Sequence, residues 1–221
     1  ALFQSIWNVP FFLGNDANCA AIGEYWAGAA KGCDPAVVVT LGTGIGSGMV
    51  SGGKLFTGFA NSGMETGHTI IYPGGVPCTC GNRGCWERYG SATALIRMAR
   101  EEMAQSPDSL LWTLCGGQAE KVQGRTVFQA AREKDPAALR ALETFHQGLA
   151  IGLINLVNTV QPEIICLGGG ISAADDDLLL DPVRTLVKQG SYDKTMPTRL
   201  EHAALGNDAG VVGAAMLCEM V

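Results

Sequence analysis

Short apolar runs and longer amphipathic segments alternate along the chain. Most of the apolar runs are rich in β-branched or aromatic residues, and each is followed by a glycine, which is typical of strands that end in turns. The pattern predicts strands at residues 9–13, 36–41, 164–167 and 199–205, and an extended stretch from residue 49 that turns at Gly52-Gly53.

Helical spacing of apolar residues fills the intervals between these strands. Asn15 and Asp16 are suited to cap an alanine-rich helix that reaches residue 30, and Asp135-Pro136 begins a long helix that ends before Pro162. Strands that alternate with helices predict an α/β layer architecture. Further helices are predicted at residues 91–105, 178–188 and 206–218, and residues 61–90 are predicted to be irregular.

Composition narrows the classes of function. The 221 residues are 47% hydrophobic, which is enough for the core of one large domain or two small ones. The net charge is −6 and Lys and Arg do not cluster, so we expect no nucleic-acid partner. Charged residues or glycine interrupt every apolar stretch, so we expect no membrane span. The chain opens at Ala1 without an initiating Met or a signal peptide, and we expect a truncated or processed start.

Three of the eight cysteines lie close together, at Cys78, Cys80 and Cys85, with His68 upstream. Three thiolates and one imidazole suit tetrahedral Zn²⁺, and four protein ligands leave no open position, so the zinc is predicted to be structural. Ordinary buried cysteines are the alternative. Because thiols that bind metal belong to a reducing compartment, we expect a cytoplasmic protein.

Two glycine-rich loops follow predicted strands. In residues 42–48 the glycines let backbone N–H groups approach an anion, which suits a phosphate cradle. Ser47 interrupts the dinucleotide-binding pattern and no Walker lysine is present, so a plain glycine-rich turn is the alternative. In residues 168–170 the absent side chains leave room for adenine or ribose, unless the loop only requires positive φ. The candidate nucleotide contacts are Gly42, Thr43, Gly44, Gly46, Gly168, Gly169 and Gly170.

Three carboxylates are candidates for proton or sugar chemistry. Asp16, beside Asn15, can act as a general base or only as part of a helix cap. Glu65 lies three residues before His68, and Glu87 lies two residues after the last clustered cysteine. A bound metal would therefore fix both glutamates in space. The other two histidines have no such neighbours, and we expect them to be structural.

Taken in this order, the motifs resemble the ROK family (repressors, uncharacterised reading frames and sugar kinases), and within it the sequence is most similar to bacterial glucokinases. The resemblance spans nearly the whole chain and the cysteine stretch is its most specific part. The matching stretches are NDANCAA at 15–21, LGTGIG at 41–46, ETGH at 65–68, CTCGNRGCWE at 78–87 and LGGGI at 167–171.

The resemblance implies an α/β fold of the actin-like ATPase (ribonuclease H-like) type. Residues 1–221 would form a ROK kinase domain, mainly its larger C-terminal lobe with a zinc-binding loop, and residues 1–15 would be a remnant of the smaller N-terminal lobe. The implied activity is ATP-dependent phosphorylation of a hexose, with Mg²⁺ accompanying ATP, in a homodimer.

The resemblance also implies roles for the candidate residues. Asp16 would take the proton from the attacking sugar hydroxyl, and Asn15 would hydrogen-bond a neighbouring hydroxyl. Glu65, His68 and Glu87 would hold hydroxyls at the other end of the ring, with His68 also binding zinc. The loop at 42–48 would hold the β- and γ-phosphates, and that at 168–170 the adenosine.

Two features depart from the family pattern. The Asp-x-Gly-Gly-Thr phosphate loop of family kinases is missing, so we expect either a fragment or a protein that cannot close on ATP unaided. Thr66 stands where the family usually has an aliphatic residue, and its hydroxyl is expected to disturb the packing under the sugar site.

Two alternatives to a kinase stay open. The chain can be the sugar-sensing effector domain of a ROK transcriptional repressor, which needs zinc and sugar but no base. It can also be a zinc-stabilised interaction module without a small ligand. The sequence does not choose among hexoses and hexosamines, and glucose is the first candidate.

Overall fold

A mixed sheet forms the centre of the protein. The computed structural model describes residue 3 and residues 6–220. The strands in these residues are β1 (Ala36–Leu41), β2 (Ile45–Ser51), β3 (Lys54–Leu55), β4 (Ile164–Gly168) and β5 (Arg199–His202). Their order is β3-β2-β1-β4-β5. Strands β1, β4 and β5 run parallel, and β2 is antiparallel to both of its neighbours.

Helices cover both faces of this sheet. Among the helices of the described residues, none is both long and apolar enough to span a bilayer. The helices are α1 (Asp16–Ala27), α2 (Glu87–Gly90), α3 (Ala92–Ala104), α4 (Leu110–Leu114), α5 (Gly124–Arg132), α6 (Pro136–Val160), α7 (Leu180–Gly190) and α8 (Ala209–Met220). Short 3₁₀ turns lie at Thr66–His68, Ala119–Lys121, Asp176–Leu178 and Gly206–Asp208.

The side chains of β1 alternate between two hydrophobic cores. Val37 and Val39 pack into the large core that β1 shares with α3, α5, α6 and α7. Ala36 and Val38 face the opposite side, where they pack with Ala21 of α1. A strand that is buried on both faces reads as a continuous apolar run, which is why β1 was predictable. The predicted α/β layers are confirmed.

The predicted strand at residues 9–13 is wrong. The chain has no regular structure there, and its apolar side chains are exposed, with Leu13 at 88%. A strand needs a partner for its hydrogen bonds, and none of the strands of the described residues pairs with this stretch. Residues 1, 2, 4 and 5 of the predicted N-terminal remnant lie outside the described residues.

Candidate active site

A cleft of about 580 Å³ opens at the carboxyl ends of the parallel strands β1 and β4, the edge at which α/β sheets commonly bind ligands. Asp16, Glu65 and Glu87 all line it, together with Asn15. These acids are distant in sequence, and the fold brings them to one cavity. The three candidate carboxylates therefore share one cleft, and their chemical roles there stay predictions.

Asn15 and Asp16 stand at the N-terminus of α1. Asn15 Oδ1 accepts hydrogen bonds from the backbone N–H groups of Ala17, at 2.8 Å, and Asn18, at 3.3 Å, so Asn15 is the helix cap. Asp16 is the first residue of the helix, and it is exposed to the cleft. Asn15 thus caps the helix, which leaves the Asp16 side chain exposed in the cleft.

The glycine loop at residues 42–48 is shorter than predicted. Only residues 42–44 form the turn between β1 and β2, and the rest belong to β2. A Cβ at Gly46 would lie 2.9 Å from Ala17 Cβ, and one at Gly48 would lie 2.8 Å from Ala21 Cβ. These two glycines therefore let α1 pack directly on β2, which carries Asp16 to the cleft.

Glu87 lies between the cleft and the cysteine cluster. Its Oε1 atom is 3.1 Å from Cys78 Sγ. Its Oε2 atom faces Gly44, where a Cβ would come within 2.4 Å of it. Gly44 thus makes room for the carboxylate, and the cluster fixes its other side. Of the predicted phosphate contacts, Gly42, Thr43, Gly44 and Gly46 all line the cleft.

The four predicted metal ligands converge. The candidate ligand atoms of His68, Cys78, Cys80 and Cys85 all lie within 4.8 Å of one another. Cys80 Sγ is 3.6 Å from Cys85 Sγ, and His68 Nδ1 is 3.6 Å from Cys78 Sγ. Tetrahedral zinc with Zn–S bonds of about 2.3 Å separates its sulfurs by roughly 3.8 Å, so this donor set fits the ion. His68 belongs to the cluster and is not among the residues that line the cleft.

The sulfurs of the cluster differ in acidity. Several interactions lower the pKa of Cys80 to about 7, and the largest is a hydrogen bond from the backbone N–H of Asn82. Burial raises the pKa of Cys85 to about 12, and burial also raises the pKa of Cys78. Cys80 is therefore the thiol of the cluster that ionises most readily. This matters because the thiolate is the form that binds metal.

A second pocket of about 650 Å³ adjoins the cleft, and Gly169, Gly206 and Asn207 line both. The predicted nucleotide contacts Gly168 and Gly170 also lie in this pocket. The two pockets together can hold a ligand longer than a sugar.

Sequence analysis missed the polar side chains of the second pocket. His202 was expected to be structural, but it lines the pocket and its Nε2 atom lies 2.8 Å from Asp176 Oδ1. This hydrogen bond lowers the pKa of Asp176. No local spacing pairs these residues, although the glycine-led helix start at 206–208 could have indicated Asn207. His146 is buried, and its Nε2 atom is hydrogen-bonded to the carbonyl oxygen of Leu178 at 2.9 Å, in keeping with a structural role.

The mixed sheet has two joined pockets at the carboxyl ends of its parallel strands, which is where α/β proteins commonly bind ligands. The chain belongs to the ROK family, whose profile matches residues 1–221. The glucokinase of Thermotoga maritima is 40% identical over 211 residues, which cover 93% of this chain and 65% of that protein. The chain thus spans somewhat less than two thirds of the length of this relative.

Solved structures confirm the fold. A ROK family glucokinase from Streptomyces griseus in complex with glucose and AMPPNP matches with a TM-score of 0.88 at 35% identity, covering 97% of this chain and 70% of that chain. The fold is thus that of the ROK kinases, which are actin-like ATPases. The xylose repressor of Bacillus subtilis is 32% identical over 211 residues, covering 95% of this chain and 50% of the repressor.

Proposed function

We propose that the chain is the larger C-terminal lobe of an ATP-dependent hexose kinase, with glucose as its first candidate substrate. The observation that carries this proposal is the convergence of Asp16, Glu65 and Glu87 on one cleft that opens into a second pocket. The similarity to glucokinases supports the same function.

In this proposal the carboxylates divide the work on the sugar. Asp16 accepts the proton of the attacking hydroxyl, as a general base within hydrogen-bond reach does. Asn15 offers its amide to a neighbouring hydroxyl, and Glu65 and Glu87 accept hydrogen bonds from hydroxyls across the ring. The second proposed role of His68, a contact to the sugar besides the metal, stays a prediction.

The nucleotide would occupy the joined pockets. The β1–β2 turn at residues 42–44, with Gly46, would hold the β- and γ-phosphates, and residues 168–170 would hold the adenosine. Mg²⁺ accompanying ATP would supply positive charge to the phosphates, since phosphoryl transfer relies mainly on positioning and electrostatics.

We further propose that the cluster of His68, Cys78, Cys80 and Cys85 holds a structural Zn²⁺. Support comes from the donor set and from the 3.6 Å separation of the Cys80 and Cys85 sulfurs, which fits tetrahedral coordination. A homodimer and a cytoplasmic location stay predictions.

Substitution of Asp16 tests the proposal. We expect the unchanged chain to bind glucose in a calorimetric titration, and Asp16→Asn to retain an affinity within roughly fivefold because one hydrogen bond contributes little net free energy. Phosphoryl transfer is measured after the part of the Thermotoga maritima glucokinase that the chain does not cover is joined to residues 1–221. There, Asp16→Asn should lower kcat by about 10²- to 10⁴-fold, the usual contribution of a general base.

A matched control is Asp108→Asn, since Asp108 is exposed and lies outside both pockets. It should leave both binding and transfer unchanged. Full transfer by Asp16→Asn would remove this residue from the mechanism.

The similarity to the xylose repressor favours a second candidate, the sugar-sensing domain of a repressor. Hexose binding without transfer in the joined protein would favour this candidate. A chain whose melting temperature no hexose or hexosamine shifts would instead be an interaction module, because a ligand of the folded state must stabilise it.

A further inference from the structure

Ser47 is hydrogen-bonded to the residues on both sides of Glu65. Ser47 is buried on β2, and its Oγ atom lies 2.5 Å from the carbonyl oxygen of Met64 and 2.7 Å from Thr66 Oγ1. A carbonyl only accepts, so the single proton of the Ser47 hydroxyl goes to Met64. The Thr66 hydroxyl must then donate to Ser47. The residue between the two anchored positions is Glu65, which lines the cleft.

The backbone beside Glu65 needs such an anchor. Met64 has a φ of +63°, a left-handed conformation that non-glycine residues rarely adopt and that persists only where the surroundings impose it. On the other side, a Cβ at Gly67 would lie 2.2 Å from the carbonyl oxygen of Ile45. The turn is thus pressed against β2 at one end and hydrogen-bonded to it at the other.

We infer that Ser47 and Thr66 form a hydroxyl pair that positions Glu65 for the hexose. This inference rests on the proposed function, since it takes Glu65 as a sugar contact. It also accounts for two features of the sequence. Ser47 stands where a glycine would complete a dinucleotide-binding pattern, and Thr66 stands where the family usually has an aliphatic residue. In the structure the Thr66 hydroxyl is not left without a partner, because it lies 2.7 Å from Ser47 Oγ.

The donor order makes the two positions unequal. Ser47→Ala removes the donor to Met64 and the acceptor of Thr66, and leaves both without a partner. In Thr66→Val, Ser47 loses the hydrogen bond that it accepts from Thr66 but still donates its own proton to the Met64 carbonyl. We therefore expect glucose affinity to fall about tenfold in Ser47→Ala and roughly threefold in Thr66→Val. The first effect is larger because a polar group left without a partner costs more than the loss of one hydrogen bond by a group that keeps another.

The double variant distinguishes a pair from two independent effects. Ser47→Ala with Thr66→Val should bind glucose about as weakly as Ser47→Ala alone, because the shared hydrogen bond is lost only once. The affinity for AMPPNP should stay within about twofold in every variant if the pair acts through Glu65, whereas a general loosening of the fold would lower both affinities.

Calorimetric titration of the 221-residue chain with glucose and with AMPPNP tests the inference. Thr144→Val is the control, because the Thr144 hydroxyl is exposed and donates a hydrogen bond to the carbonyl oxygen of Arg140 in the same helix. Should Ser47→Ala fail to fold, Thr66→Val carries the test, since it leaves no buried carbonyl unpaired.

The outcomes separate the inference from the proposed function. An unchanged chain that binds glucose, with variants that bind it equally well, overturns the positioning role alone. Parallel loss of glucose and AMPPNP binding also overturns it. An unchanged chain that binds no hexose overturns both proposals.

Discussion

At the scale of single residues, Glu24 is a fully buried acid whose partners lie in two distant parts of the chain. Its side chain is 0% exposed, and its carboxylate accepts hydrogen bonds from three backbone N–H groups, those of Ala29 at 2.8 Å, Ala204 at 3.0 Å and Leu205 at 2.8 Å. Glu24 thus ties α1 to the turn that precedes Gly206 in the wall of both pockets. We expect Glu24→Gln to lower the free energy of unfolding by about 2 kcal/mol, because its amide group turns a donor toward an N–H donor.

Urea denaturation measures this loss. Glu143→Gln is the matched control, since Glu143 is exposed on α6 and makes the same change of charge. It should stay within about 0.5 kcal/mol of the unchanged chain. Equal stability of the two variants would show that the three hydrogen bonds to Glu24 contribute nothing net.

Such residues mark the limit of what the sequence could reveal about the site. Asp16, Glu65 and Glu87 were predictable because each lies beside a motif that the eye can find in the sequence. Glu24 was not, because two of its partners are 180 and 181 residues away. The pair of Asp176 and His202 was missed for the same reason, since only the folded chain brings them together.

At the scale of elements, predictions succeeded where residues that start or end an element are visible in the local sequence. The start of α6 was predictable because Asp135 caps it, with its side chain accepting from the N–H of Ala138, and proline follows at the first helical position. The strand at residues 9–13 failed because a strand also requires a neighbour, which no local signal supplies. The glycines of β2 led to the wrong prediction of a long loop, because they belong to a strand and allow its close packing against α1.

Glycine also sets the contact between α1 and α8, and a matched pair of substitutions tests it. A Cβ at Gly213 would lie 1.7 Å from the carbonyl oxygen of Cys19, whereas one at Gly210 in the same helix would have no atom of the described residues within 4 Å. We expect Gly213→Ala to cost about 1–3 kcal/mol through overpacking. Gly210→Ala should instead stabilise by up to about 1 kcal/mol, since alanine is the better helix former. Thermal denaturation compares them, and a Gly213→Ala variant as stable as Gly210→Ala would refute the close packing of the two helices.

At the scale of the whole molecule, the cysteine cluster connects two distant parts of the irregular region at residues 61–90. The cluster joins His68, which follows the Glu65 segment, to the stretch that leads into the fully buried Trp86. Glu87 follows directly and reaches the cleft. The α/β class was predictable from alternating strands and helices, and the cluster from its cysteine spacing. That the cluster sits against the cleft was only an expectation from sequence proximity, and the folded chain makes it a contact of 3.1 Å between Cys78 and Glu87.

Removal of metal tests how far the molecule depends on this connection. If zinc is the structural ion that we propose, a chelator should lower the melting temperature by several degrees and weaken glucose binding, because metal that binds only the folded chain adds its binding free energy to stability. Cys80→Ser should lose the zinc found by elemental analysis and behave like the chelated protein. Cys218→Ser is the control, since Cys218 is an exposed thiol on α8 outside the cluster. A chelated chain that keeps both its melting temperature and its glucose affinity would show that the thiols and imidazole alone hold Glu65 and Glu87 at the cleft.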